Sequence, residues 1–154
     1  MDSNIILGIT TASLAAVGVG VAKDTKISEF RQQWADELRK DVSSYLALVA
    51  MYYEMNNGKA PNDNTQRVGD IILELNTVMH RVTLRLDLKD KTKKQKPDQW
   101  RLGEAMWAAR NAARRNPGSR PEIEKCSEEI QFAASVVIDN AWTRVKKGEP
   151  LYRA

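Results

Sequence analysis

Residues 30–52, which read FRQQWADELRKDVSSYLALVAMY, contain the pattern that decides the fold. Large apolar side chains recur there every fourth or third residue, at Phe30, Trp34, Leu38, Val42, Tyr45, Val49 and Tyr52. This spacing places them along one face of an α-helix, so a helix that packs against other elements is predicted from about Ser28 to Met55. Ser28 is a suitable N-cap residue, and the Asn56-Asn57-Gly58 sequence is typical of a helix end.

The same periodicity recurs in three later segments of the chain. The second runs from about Asn64 to Leu86, the third from Pro97 to about Arg115, and the fourth from near Pro121 to Gly148. Strand signals such as sustained alternation are nearly absent. Four amphipathic helices with short links predict an all-α fold, an antiparallel bundle of about four helices. The third segment has a thin apolar face, so we expect it to pack peripherally or against another subunit.

Length and composition limit the functions that this chain can have. Its 154 residues, 42% of them apolar and 29% charged, are enough for one core and too few for two comfortable domains. The single cysteine, Cys126, excludes an internal disulfide, and the single histidine, His80, excludes a two-histidine metal site within one chain. The chain contains no nucleophile elbow, phosphate-binding loop or dinucleotide fingerprint. We therefore expect no catalytic residues, no metal and no cofactor.

The N-terminal segment contains no charged residue from Ser3 to Ala22. As a helix, these 20 residues would measure about 30 Å, the thickness of the hydrocarbon core of a bilayer. We predict a transmembrane anchor at residues 1–26, followed by a helical domain at residues 27–154. Two other interpretations remain open: a cleaved signal peptide, although no basic residue begins the segment, and a buried helix of a soluble protein.

Flanking charges and small residues predict the orientation and the association of this span. Basic residues follow it but do not precede it, so the positive-inside rule predicts an external N-terminus and a cytoplasmic domain at the inner membrane. Gly8, Ala12, Ala16 and Gly20 recur every fourth residue, which lets two helices approach closely in lipid. We therefore expect a homo-oligomer, and the alternative is that the small residues recur by chance.

Lysines concentrate in segments that the up-down topology would bring to the membrane end of the bundle. They are Lys23, Lys26, Lys89, Lys91, Lys93, Lys94, Lys96, Lys146 and Lys147. Each lysine near an anionic leaflet contributes about 1 kcal/mol of attraction, so we predict a basic collar that contacts anionic lipids. This prediction depends on the assumed topology, and solvated loops are the alternative for each lysine run taken alone.

Arginines and tryptophans mark a second basic region. Four arginines form two pairs at i,i+4 spacing, Arg81 with Arg85 and Arg110 with Arg114. Like charges at this spacing cost stability, which suggests an anionic neighbour. That neighbour would be a phosphate or the acidic residues of another subunit, and the alternative is that there is none. Trp100 and Trp107, two turns apart, would stack on bases or fill a core or an interface. We expect the core or interface role, because no nucleic-acid-binding motif accompanies them.

Three short stretches resemble a pattern found in uncharacterised single-pass membrane proteins of bacteria and their phages. They are residues 27–41 (ISEFRQQWADELRKD), 84–88 (LRLDL) and 141–149 (AWTRVKKGE). They cover about 30 residues at the ends of three segments, and the third segment does not match. The resemblance implies an anchored cytoplasmic helical domain and no known activity.

These observations together predict a non-enzymatic, membrane-anchored helical scaffold or adaptor that self-associates and recruits a protein partner at the inner membrane. The residues expected to contribute packing or subunit contacts are Phe30, Trp34, Tyr45, Trp100 and Trp107. One alternative is a membrane-perturbing effector or small channel in the conflict between bacterium and phage. Another is membrane-tethered nucleic-acid binding through the arginine pairs, against which the missing recognition motifs argue.

Overall fold

The computed structural model describes residues 3–57, 65–86, 96–115 and 118–146, with side chains from residue 26 onward except at 65 and 144–146. These ranges contain four α-helices and no strand: α1 (Ser3–Asn57), α2 (Thr65–Arg85), α3 (Pro97–Arg114) and α4 (Arg120–Lys146). The all-α class is therefore confirmed. The ends of α2, α3 and α4 lie within a few residues of the predicted ones, because turn residues and prolines flank each apolar stripe.

The chain divides into two compact units, residues 1–35 and residues 36–154. In the first unit the backbone is helical from Ser3, and Lys26 and Phe30 are exposed while Trp34 is half-buried. Nowhere among the side chains that the structure describes is there a helical stretch long and apolar enough to cross a membrane. The predicted span, its small residues at 8, 12, 16 and 20, and Lys23 lie outside those side chains.

The second unit is a bundle in which the chain direction alternates from helix to helix. The C-terminal end of α2 lies beside Asp41 of α1. The C-terminal end of α3 and the N-terminal end of α4 lie beside Asn56 and Glu54, near the C-terminal end of α1. Each helix therefore runs antiparallel to the one before it, as the short links between the segments predict.

The core of this bundle is formed by the apolar stripes that the sequence shows. Leu38, Tyr45 and Val49 of α1 are completely buried, as are Leu75 of α2 and Ile130 of α4. Full burial of a large apolar side chain stabilises the fold by about 1.5–3 kcal/mol, so these stripes supply most of the driving force for helix packing.

The predicted peripheral place of the third segment is wrong. Helix α3 packs closely along α4 and buries six side chains, which are Leu102, Ala105, Met106, Ala109, Ala112 and Ala113. Four of these six are alanines, which contribute little apolar area but allow two helix backbones to approach closely. A stripe that is thin in side-chain volume is therefore compatible with a central position in the bundle.

Candidate interaction surface

The described part of the bundle contains no arrangement typical of an active site. No group of three or more metal-ligating side chains occurs among the described residues. Two open clefts, of about 330 and 520 Å³, lie between α1 and α4. The first is rimmed by Glu54, Arg120 and Glu124, and the arginine pairs with both glutamates at 3.6 and 3.5 Å. The one cation of this rim is therefore already paired within the chain.

Neither Cys126 nor His80 has the surroundings of a reactive side chain. Cys126 is half-buried on α4, where burial and the neighbouring Glu122 raise the pKa of its thiol. A raised pKa leaves less of the nucleophilic thiolate at neutral pH. His80 is exposed on α2. Neither of these two side chains therefore has the surroundings of an activated nucleophile or of its base among the described residues.

Two of the predicted basic-patch residues, Arg81 and Arg85, pair with carboxylates of α1. Arg85 Nε donates to Asp41 Oδ2 at 2.9 Å, and Arg81 lies 3.3 Å from Asp41 Oδ1. Arg85 also donates to Glu37. Burial lowers the pKa of Arg85, but the hydrogen bonds and charges of the two carboxylates raise it above its ordinary value. The anionic neighbour that the first arginine pair requires is thus supplied by the chain itself.

The second pair, Arg110 and Arg114, lies elsewhere in the bundle. Arg114 ends α3 beside Asn56, whereas Arg85 ends α2 beside Asp41, about four helical turns away along α1. The structure therefore does not unite the four arginines in one patch. The reason is that α2 and α3 run in opposite directions, so that their C-terminal ends are at opposite ends of the bundle.

Arg110 and Arg114 are also without an ion pair among the described residues, unlike the other arginines around α3. Arg115 pairs with Glu122 at 2.5 Å. Arg101 pairs with Glu129 at 2.6 Å and lies over the ring of Phe132, with its guanidinium 4.9 Å from the ring centroid. Unpaired cations next to paired ones are the charges that remain for a ligand or a partner.

An exposed aromatic side chain accompanies these two cations. Trp107 is 59% exposed, and it is followed at i+3 by half-buried Arg110 and at i+7 by exposed Arg114, which places all three on one side of α3. We call these three residues the α3 face. Trp100, two turns earlier, is half-buried. The prediction that Trp107 fills a core is wrong for this bundle, because Trp107 lies on the side of α3 that faces solvent.

Tyr45, in contrast, is completely buried at the α1–α3 contact. Its hydroxyl donates a 2.6 Å hydrogen bond to the backbone carbonyl of Met106. Burial raises the pKa of Tyr45, and the charge of Arg110 opposes that shift. Its place is therefore within the bundle and not on a subunit interface.

The predicted lysine collar is only partly within the described side chains. Lys26 is exposed, while Lys89, Lys91, Lys93, Lys94, Lys146 and Lys147 lie outside those side chains. Lys96 is buried, because it immediately precedes α3 where that helix enters the bundle. It therefore does not add an exposed charge to a collar.

Side-chain hydrogen bonds that the sequence did not predict link the end of α1 to the end of α3. The side-chain amide of Asn56 donates to the carbonyls of Ala113 and Arg114, at 3.3 and 2.8 Å. Asn57 Oδ1 accepts a 2.5 Å hydrogen bond from the N–H of Gly118. Helix C-termini leave their last carbonyls without partners, and here another helix supplies the donors. The sequence shows the Asn-Asn pair as a helix end, but it does not show which groups on α3 and beyond are its hydrogen-bond partners.

The chain was compared with protein-family models, with curated proteins and with solved structures, and none of the three comparisons found a match. The resemblance to single-pass membrane proteins of bacteria and phages therefore stays a prediction. What the structure defines is a class by architecture, an all-α chain with an antiparallel four-helix unit.

Proposed function

We propose that this protein is a membrane-anchored helical adaptor of the inner membrane, without enzymatic activity. The observation that carries the proposal is a 20-residue uncharged segment, from Ser3 to Ala22, at the start of the helix that continues into the bundle. Such a segment matches the length of a transmembrane helix. Helix α1 includes this segment and is continuous from Ser3 to Asn57.

The orientation and the lipid contacts of the anchor follow from the charges beside it. Lys23 and Lys26 follow the uncharged segment, and Asp2 stands before it. The positive-inside rule then directs the bundle to the cytoplasm. The lysine-rich links at residues 89–94 and 146–147 would strengthen the attachment through anionic lipids.

The bundle supports an adaptor role through what it displays. Exposed apolar side chains, including Leu73 and Leu84 of α2 and Trp107 of α3, accompany a core that is otherwise well buried. Exposed apolar surface is costly to maintain in a soluble domain and often marks a contact with another macromolecule. Self-association through Gly8, Ala12, Ala16 and Gly20 would place several copies of this display side by side.

Alkaline carbonate extraction of membranes, combined with protease digestion of a C-terminally tagged chain, tests this proposal. We expect the tagged chain to stay in the membrane pellet, and we expect its tag to be protected in spheroplasts but digested once the membrane is permeabilised. Leu14→Arg/Val17→Arg, which puts two charges in the predicted span, should release the chain into the soluble fraction. Leu84→Arg, an exposed position on α2, is the matched control and should not.

Three results would contradict the anchor. They are extraction of the wild type by carbonate, a mature form that begins near Lys23, and a tag that protease reaches in intact spheroplasts. Self-association has its own test in the mass of the detergent-solubilised chain beside Gly8→Leu/Gly20→Leu. A monomer in both proteins would remove the oligomer from the proposal and leave the anchor in place.

A further inference from the structure

We propose that the α3 face, formed by Trp107, Arg110 and Arg114, binds an acidic amphipathic helix of a partner protein. The inference names the partner of the proposed adaptor and rests on that proposal. It starts from two properties that occur together on this face, an exposed aromatic ring and two cations without ion pairs among the described residues.

The aromatic ring provides the apolar part of the contact. Trp107 is one of the large apolar side chains that the bundle leaves mostly in solvent, although α3 buries six other side chains against its neighbours. Tryptophan and arginine are the residue types that most often contribute a large share of the energy of protein interfaces. A leucine of a partner helix would cover the ring and remove both apolar surfaces from water.

The two cations provide the charge complementarity. Arg110 and Arg114 are one turn apart, and Trp107 is within two turns of both, so the face is about 10 Å long. A partner helix with a carboxylate on each of two successive turns matches this spacing. Guanidinium–carboxylate pairs are geometrically specific when both groups are held on helices. The neighbouring Arg115 is already paired with Glu122, so it does not contribute to the face.

The extent of the positive charge favours a short acidic segment over a nucleic acid. A nucleic acid is bound through a run of cations that follows its phosphates. On α3 the acidic residue Glu104 precedes Trp107 by one turn, so the positive charge on this side of the helix is limited to the last two turns. Two cations beside one aromatic ring are sufficient for one helix with two carboxylates.

The experiment titrates the full-length chain, in neutral detergent micelles, into a fluorescein-labelled synthetic peptide of about four helical turns. The peptide has leucines at every third or fourth position and a glutamate on each turn beside them. A second peptide with glutamine in place of every glutamate controls for the apolar contact alone. Fluorescence anisotropy gives both dissociation constants, at low and at high salt.

We expect the acidic peptide to bind at least about ten times more tightly than its glutamine counterpart, with a difference that shrinks as salt is added. Trp107→Ala and Arg110→Gln/Arg114→Gln should each weaken binding by about tenfold or more. Arg115→Gln and Leu84→Gln are matched controls, because the first removes a paired arginine and the second an apolar side chain that is 73% exposed. Both should bind the peptide as the wild type does.

Several outcomes would overturn the inference. They are equal binding of both peptides, equal losses in the matched controls, and displacement of the peptide by single-stranded RNA or by vesicles containing phosphatidylglycerol. A Trp107→Ala effect on the oligomeric state with no peptide bound would assign the face to a second copy of the chain. Circular dichroism of each variant separates lost binding from lost folding. Carbonate extraction reports on the anchor and the titration on the α3 face, so the two proposals fail separately.

Discussion

Replacement of Asp41 by asparagine should destabilise the bundle more than any other exchange in the α1–α2 ion cluster. The Asp41 side chain is only 8% exposed, and it pairs with Arg85, which is 27% exposed, and with Arg81, which is 51% exposed. The substitution keeps the shape of the side chain and removes its charge. It therefore leaves Arg85 partly buried with Glu37 as its remaining carboxylate.

The expected loss follows from how deeply each pair is buried. Breaking a fully buried ion pair costs about 3–5 kcal/mol, because the other charge is left uncompensated. Pairs at the surface contribute about 0–1 kcal/mol, which applies to half-exposed Arg81. Arg85 lies between these limits and keeps one partner. We therefore expect Asp41→Asn to lower the free energy of unfolding by about 2–3 kcal/mol.

Urea unfolding of the full chain in detergent, followed by circular dichroism, measures this loss. Glu37→Gln is the matched control, since its side chain is 42% exposed and pairs with the same arginine, and it should cost at most about 1 kcal/mol. Adding Arg85→Met to each variant gives the coupling energy between the charges. The reasoning is refuted if the two carboxylate variants lose equal stability, or if the coupling with Asp41 is close to zero.

Three further predictions concern single side chains. Tyr45→Phe removes the hydrogen bond to Met106 and should lower the free energy of unfolding by about 1 kcal/mol. Because folding raises the pKa of the Tyr45 phenol, the protonated phenol stabilises the bundle fully below pH ~10, and this stabilisation is lost as the pH rises further. In alkaline unfolding curves, the variant should therefore lose less stability between pH 9 and 11 than the wild type does. Cys126 should react with a disulfide reagent more slowly than a free thiol at pH 8, in a stopped-flow or absorbance assay, and a rate equal to that of the urea-unfolded chain would contradict its burial. Gly118→Ala should lower the free energy of unfolding by about 1–3 kcal/mol, because a Cβ there would lie 2.8 Å from a ring carbon of Tyr53. Gly69→Ala on α2, where nothing lies within 4 Å of the added Cβ, should instead raise it by about 0.5–1 kcal/mol. Equal melting temperatures for the two variants would show that the close approach at Gly118 is relieved.

The two arginine pairs illustrate what could not be predicted from the sequence. Both pairs have the same i,i+4 spacing on a helix, and that spacing does not show which pair has an anionic neighbour. Arg85 forms an ion pair with Asp41, which is 44 residues away in the sequence, while Arg114 forms none with any described residue. The ion pair of Arg85 depends on the register in which α1 and α2 pack, and this register exists only in the folded bundle.

The third segment makes the same point for the core. Its alanines predict a weak apolar face, because an alanine side chain buries little apolar surface. In the bundle, Ala105, Ala109 and Ala112 lie where α3 is packed against its neighbours. Their small size is what permits the close approach of the backbones, and that advantage exists only when a partner helix is present.

The sequence by itself determined the four helices and the ends of α2, α3 and α4, because helix periodicity and termination are local, whereas the start predicted near Ser28 lies inside α1, which begins at Ser3. It also carries the uncharged N-terminal segment on which the proposed anchor rests. Only the tertiary structure decided which charges form ion pairs within the bundle and which form none among the described residues, as on the α3 face. The physical reason is that an ion pair or a helix cap between distant residues depends on the register of two packed helices, which no short stretch of either helix specifies.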